Sequence, residues 1–386
     1  FCVAGALLGL VMSLIIPPLA GPDEYAHAAT AYAQASELLG QAPYDEAGRL
    51  RMRECDAPYM TDKTGERGVF AYKRMADQLF VSGQDGALTA AGDVRAAGDG
   101  SRLLYAPMVL GMTLARLLGL SFYGMLWLAR LSNLAVYLAL AALALHLTPR
   151  AKTLFFCVGL LPMGLQVAAC LSADMMVAAL VLLWLAWCLR CADRPMRTAD
   201  WLVMVLLAAL FGPAKAIYLP LVGLCLAVPG SRFGAWCDLK KAAVLAAAAL
   251  AWIVANSAYL DYQLRDFNTP LRLLLALVVL AGAGAVFWAV RLCARYPRLR
   301  LWLLGAGAML ALAVLAGGHI LFRFKGAGPS PEEMAAGIQP NGDSRYTYSV
   351  AMLLLYLPRV VKLTIATFAA NLSAYWQQAL GAVLGE

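Results

Sequence analysis

The chain has 386 residues, of which 62% are hydrophobic and only 14% are charged. Soluble domains carry about 25% charged residues, so the composition excludes an ordinary globular protein and requires lipid to solvate much of the chain. The net charge is +8, but the basic residues sit mostly in short loops between apolar runs, where positive-inside sorting accounts for them without nucleic acid.

Residues 1–20 form an uncharged run of spanning length. With no basic leader before it, the run reads as a retained membrane helix rather than a signal peptide. The sequence opens on Phe1, already inside that run, and is read as a piece of a longer protein. Pro17, Pro18 and the Gly21-Pro22 step break this helix. Pro22 then starts a second helix reaching about Leu39, with Asp23 and Glu24 in its first turn. Along it Asp23, His27, Thr30 and Gln34 recur at i, i+4, i+7 and i+11 and share one face. Acidic residues in a first turn also suit the helix dipole without any chemistry, and on this motif alone both readings stand.

Residues 21–120 are the longest polar region and are expected to form an extracytoplasmic loop subdomain with amphipathic helices. Within it, 102–120 is apolar but short and carries Arg116, as fits a helix lying on or dipping into the membrane surface. Residues 121–322 are expected to form a bundle of membrane helices. The first is 121–147, with Arg130 near one end; Arg116 and Arg130 both read as interfacial anchors. From 153 to 189 the only charge is Asp174. A single helix of that length would reach about 55 Å, against a hydrocarbon core of about 30 Å. The run must fold back, and Leu171-Ser172-Ala173-Asp174 is the polar point at which to turn, which places Asp174 at the membrane face of Asp23.

Residues 201–229 are interrupted at Phe211-Gly212-Pro213-Ala214-Lys215. Read as two short segments, they leave the basic loops 149–152, 190–197, 232–241 and 291–300 on one cytoplasmic side with twelve Lys and Arg. Read as one span, they destroy that bias. The pair of segments is therefore expected, with Lys215 facing outward beside Asp23 and Asp174. Spans over 242–259, 271–290 and 301–322 follow, then an outer loop, 323–350, that carries Arg345 and Tyr346. Residues 351–386 read as C-terminal apolar helices, truncated at the end of the sequence. The expected fold is an all-α polytopic membrane protein with about 9–11 membrane helices and a large first extracytoplasmic loop. The nine cysteines lie mostly in apolar runs and imply no disulfide framework. Cys188 and Cys191 form a CxxC without the second pair a zinc site needs.

This topology gathers Asp23, Glu24, His27, Asp174, Lys215, Arg345 and Tyr346 at one face. A carboxylate there suits general-base activation of a hydroxyl. Cations or a metal suit the charge of a departing phosphate. Such a face at a membrane fits a polyprenyl-phosphate sugar, whose tail stays in lipid while its head reaches the loops. Each residue also has a plainer reading: Asp174 caps a turn, Lys215 snorkels, and His27 is an oriented polar residue rather than a metal ligand.

Gly21-Pro22-Asp23-Glu24 with His27 and Tyr32 resembles the opening motif of the bacterial membrane-protein family called domain of unknown function 2142. Three later stretches resemble the same family in order: Tyr105-Ala-Pro-Met with Arg130-Leu131-Ser-Asn133; Leu161-Pro162 followed by Leu171-Ser172-Ala173-Asp174; and Lys215 to Pro229 ending in Pro-Gly-Ser-Arg-Phe-Gly. That family is similar in layout to the GT-C class of glycosyltransferases. The resemblance implies a GT-C-like fold, a polyprenyl-phosphate-linked sugar donor, and an acidic residue of the first outer loop as base or metal ligand. Carried over, it makes Asp23 and Glu24 the catalytic pair, Asp23 as base with Glu24 supporting it. The other residues gathered at that face by the topology, His27, Asp174, Lys215, Arg345 and Tyr346, are expected to bind substrate. Asp343-Ser344-Arg345-Tyr346 is a loose match to the family's "GRY"-like stretch.

The expected function is an inverting membrane glycosyltransferase of cell-envelope polysaccharide assembly in a bacterial inner (plasma) membrane, with its site on the extracytoplasmic side. Its partners would be the lipid-linked donor, a glycan or lipid acceptor and the bilayer, with no nucleic acid. No cofactor is certain, and a divalent metal, if any, would sit on Asp23 or Glu24. The alternatives are a lipid-linked sugar flippase or transporter, which should show paired broken helices in repeated halves, and a polysaccharide polymerase or ligase, which typically carries its large outer loop late in the chain.

Overall fold

A computed structural model describes residues 1–257 other than 22, 62–68, 80, 82, 84–86, 93, 95–100 and 215–217, together with 365–366 and 368–373. The chain divides into two compact units, 1–256 with 374–386, and 257–373. In the second, the described stretch is helical and exposes Ile365, Phe368 and Leu372. The rest of this section concerns the first, which is mostly helical.

Helix α1 (Cys2–Ile15) stops where Pro17 and Pro18 remove the next amide donors. Gly5 and Gly9, one turn apart, let it lie directly on α6 (Phe122–Leu147). A Cβ on either would come within 2.5 Å of Leu138 or Leu134. Small residues four apart are how helices approach closely in lipid. Helix α2 (Glu24–Leu38) starts later than the sequence pattern implied. Asp23 lies ahead of its first turn as a left-handed N-cap, φ 53° and ψ 12°.

A small polar cap follows: β1 (Arg51–Arg53), α3 (Ala57–Thr61), α4 (Val69–Gln78) and β2 (Leu88–Ala90), with Met52 paired to Thr89 across the antiparallel ribbon. Helix α5 (Arg102–Leu117) then forms a hairpin with α6. Gly111 makes their contact close, because a Cβ there would meet the Ala129 Cα at 2.7 Å. Helices α2 and α5 run side by side, His27 against Tyr105 at one end and Ser36 against Arg116 at the other. Arg116 is not an interfacial anchor. It is buried, donates to Ser36 Oγ at 2.8 Å and lies 4.6 Å above the Tyr32 ring. Tyr59 stacks on Phe122 and meets Tyr123 edge-on, fixing the cap to the first turn of α6.

The membrane-side helices continue from α6. Helices α7 (Lys152–Gly159) and α8 (Pro162–Ala169) are bent by 52° at Leu160 and Leu161, where Pro162 opens a new helix. The Tyr137 hydroxyl donates at 3.0 Å to the Gly159 carbonyl that the break releases, as an interior without water requires. The chain turns at 170–173 and returns as α9 (Asp174–Asp193). Among the described residues α6 and α9 are long and apolar enough to cross a membrane, and α7 with α8 makes a third span if the bent pair is counted as one. Of the other expected spans, α1 and α10 (Thr198–Leu210) are shorter apolar helices, the described part of 242–259 belongs to a 19-residue helix (Cys237–Ala255) that is not among these candidates, and 271–290 and 301–322 lie outside the described residues.

After α10 the chain turns at 211–214 and comes back through α11 (Leu219–Val222) and a 3-10 turn (Gly223–Ala227) to α12 (Gly230–Phe233) and α13 (Cys237–Ala255). Helices α10 and α13 are parallel. Trp201 Nε1 donates to the Lys240 carbonyl at their starts, and Asn256 Nδ2 to the Gly212 carbonyl at their ends. Two parallel neighbours require a return path between them, which is the two-segment arrangement that loop charges imply. The basic loops meet at one end of the bundle: Arg150 pairs with Asp193 at 2.7 Å, and the Met196 amide donates to the Arg232 carbonyl at 2.9 Å.

Candidate functional site

The opposite end is where elements change over. Helix α1 stops, α2 and α5 start, and α8 turns into α9, while α6 runs through that level. Its length of about 39 Å exceeds a hydrocarbon core of about 30 Å, so it joins the membrane-side helices to the cap. Arg130 sits on α6 at this level, 1% exposed, and donates all five of its N–H groups. Nε and Nη2 reach the two Glu24 carboxylate oxygens at 2.7 Å each. Nη1 reaches the Ser13 and Ile16 carbonyls, and Nη2 also reaches that of Pro17. Those carbonyls belong to the end of α1, which has no further turn to accept from and which proline cannot extend. A planar fork of five donors matches this set, and an ammonium would not. Arg130 is thus a buried pin, not the interfacial anchor its position in an apolar run implied.

Glu24 completes the pin. It is 1% exposed, accepts from the Gly21 amide at 3.1 Å, and accepts from the Leu171 amide at 3.0 Å in the α8–α9 turn. Asn133, one turn along α6, donates to the carbonyls of Cys170 and Ser172 in the same turn at 3.0 and 3.2 Å. Both Glu24 oxygens are therefore spoken for, and the geometry gives this carboxylate a holding position.

Asp23 is next to that pin and exposed. Left-handed backbone costs a non-glycine residue about 1–2 kcal/mol, with Asp and Asn the side chains that tolerate it best. Four residues on, His27 Nδ1 lies 2.7 Å from the Tyr105 hydroxyl, the rings tilted with centroids 5.5 Å apart. Burial pushes the Tyr105 phenol up to about 12, and the Asp174 and Asp23 carboxylates add to it. One phenol thus lies within the field of both carboxylates, one from the start of α2 and one from the start of α9. The direction of this bond goes with the tautomer of His27: if the phenol donates, Nδ1 accepts and Nε2 carries the ring proton. Asp174 is half-buried, and its amide is capped by Ser172 Oγ at 3.2 Å.

The structure thus brings together Asp23, Glu24, His27 and Asp174. Lys215, Arg345 and Tyr346 lie outside the described residues, although the 211–214 turn is at the end of α10 away from the basic loops. Thr30 shares the expected face but spends its hydroxyl hydrogen on the Ala26 carbonyl. The residues missing from the sequence-based site are Arg130, Asn133 and Tyr105. The available signal was an arginine within an apolar run, which in a membrane helix calls for a named partner before it is assigned to an interface. Among the described residues no three His, Cys, Asp or Glu side chains gather closely enough to hold a metal ion. Glu24, one of the two carboxylates expected to hold any metal, is already saturated by protein donors.

A family model described as predicted membrane protein (DUF2142) matches residues 6–266, more than half of the chain. No curated protein and no solved structure matches it.

Proposed function

This chain belongs to the DUF2142 family of predicted membrane proteins, and within that family we propose that it acts as a GT-C-type glycosyltransferase of cell-envelope polysaccharide assembly. It moves a sugar from a polyprenyl-phosphate donor to an extracytoplasmic hydroxyl. The observation that supports the reading is that Glu24 accepts from the Leu171 amide, so the start of α2, which carries Asp23, lies against the turn that leads into Asp174, at the end of the bundle opposite the basic loops. By positive-inside sorting that end faces outward in a bacterial inner membrane.

In the transfer, the acceptor oxygen attacks the anomeric carbon as the bond from that carbon to the phosphate oxygen breaks, so configuration inverts. The acceptor proton passes to the Asp23 carboxylate. The electron pair leaves on polyprenyl phosphate. Glu24, locked by Arg130, supports the base by fixing the backbone that carries it. His27 and Asp174 offer a donor and an acceptor for sugar hydroxyls, and Lys215, Arg345 and Tyr346 are assigned to the phosphate side. No step runs through a metal.

A second reading, a flippase for the same lipid-linked sugar, is favoured by one feature, the broken return after α10. One assay separates the two. Vesicles containing the protein and a labelled polyprenyl-phosphate sugar should release polyprenyl phosphate as label appears on the acceptor. Label that crosses intact, with no donor consumed, contradicts the transferase and establishes the flippase.

A further inference from the structure

We infer that the basic end of the bundle is a head-group site for an anionic phospholipid of the facing leaflet, built from the loop before α10 and the segment from α12 into α13. The two loops are tied together. The Met196 amide donates to the Arg232 carbonyl, Lys240 Nζ donates to the Phe233 carbonyl at 2.9 Å, and Trp201 Nε1 donates to the Lys240 carbonyl at 3.2 Å. Residues 194–201 and 230–241 carry five cations, Arg194, Arg197, Arg232, Lys240 and Lys241, against two carboxylates, Asp200 and Asp238. Asp200 is consumed within the loop, by Arg194 at 2.9 Å and by the Arg197 amide. Arg197 and Arg232 make no ion pair among the described residues.

The occupant is lipid rather than a soluble anion because of what adjoins the cations. Trp236, 76% exposed, caps α13 in the left-handed region at φ 62°. A bulky indole held there is costly unless something receives it. Leu239 beside it is also exposed, and the same helix exposes Leu250, Ile253 and Val254 further along. The indole therefore heads an apolar helix surface and stands beside a surplus of positive charge. An aromatic belt residue next to basic side chains is the composition that meets phosphate heads at a bilayer interface.

The test uses the full chain in detergent, equilibrated with equal amounts of phosphatidylglycerol and phosphatidylcholine of identical chains and read by native mass spectrometry. Wild type should retain phosphatidylglycerol preferentially. R197Q/R232Q should lose about 25-fold of that preference, at roughly a fivefold contribution for each of the two charges near an anionic surface. R102Q, at the other end of the bundle, should leave it unchanged. A second readout does not depend on how the arginine variants fold. In nanodiscs, the fluorescence component removed by W236F should be quenched more strongly by acyl-brominated phosphatidylglycerol than by brominated phosphatidylcholine. Equal retention of the two lipids by wild type, an undiminished preference in R197Q/R232Q, or equal quenching would overturn the inference. None of these outcomes bears on sugar transfer.

Discussion

Glu24 and Arg130 form a two-point ion pair, both bonds 2.7 Å and both side chains 1% exposed, across the gap between the end of α1 and the start of α2. Taking two charges out of water is expensive, and the pair holds because every remaining donor and acceptor is satisfied. Removing either charge strands the other. E24Q and R130M should each cost about 3–5 kcal/mol of stability, whereas E24Q/R130M should cost much less than their sum. Thermal melting of the four proteins in one detergent reads this as a double-mutant cycle. Additive losses would mean that the pair is not the pin described.

The hairpin of α5 and α6 depends on backbone contact at Gly111. G111V places side-chain carbon against the Ala129 Cα and the Leu128 carbonyl, which cannot move aside as a side chain could. A loss of about 1–3 kcal/mol is expected from overpacking. Gly223 is the control. A Cβ there meets nothing within 4 Å and its φ is −57°. G223A should be neutral or stabilising by about 0.4–1 kcal/mol, through the unfolded chain. Melting temperatures of both variants decide it.

Buried phenols give the cap an alkaline limit. Tyr105 is raised from 10.0 to about 12 by burial, with Asp174 and Asp23 adding; Tyr32 is raised further by burial and by Asp56. A folded value above the unfolded one means that stability is complete below pH 10 and is lost as pH rises through the folded value. Tyr105 alone accounts for a loss on the order of 2 kcal/mol. Stability measured from pH 8 to 12 should fall above pH 10, and Y105F should flatten that fall. An unchanged slope in Y105F would remove Tyr105 from the account.

The His27–Tyr105 bond can be read directly, because the chain holds only three histidines. With ¹⁵N-histidine labelling, the signal lost in H27N should show Nδ1 as an unprotonated acceptor and Nε2 as the protonated nitrogen. Y105F should disturb that signal and leave the other two in place. An Nδ1–H tautomer would reverse the donor assignment at the site.

Several features of this end of the molecule are legible in the sequence. Counting residues against bilayer thickness places the 171–174 turn, and loop charge implies a return path after α10. Both arguments use coarse quantities, length and net charge, that survive without knowing any contact. Asp23 as a left-handed cap is not legible, because Pro22-Asp23-Glu24 fits a helix start at any of the three. The burial of Arg116 and Arg130 is not legible for a related reason. One arginine in an apolar run has the same pattern whether it snorkels or is buried, and its partners here come from α2 and α1, far away in the chain. Tyr105 carried no charge or periodicity to mark it. Only the packing of α5 on α2 brings it to His27.

The central claim is that Asp23 is the base, and D23N tests it most directly. Asparagine tolerates the left-handed backbone that Asp23 adopts, so the fold around the pin should be retained and a change in rate reports chemistry. Transfer of labelled sugar from a polyprenyl-phosphate donor should be measured in membranes containing equal amounts of inserted wild type and D23N with matched melting. The account predicts a fall of about 10²–10⁴-fold, the range a positioned general base contributes. Wild-type transfer by a normally inserted D23N would contradict it.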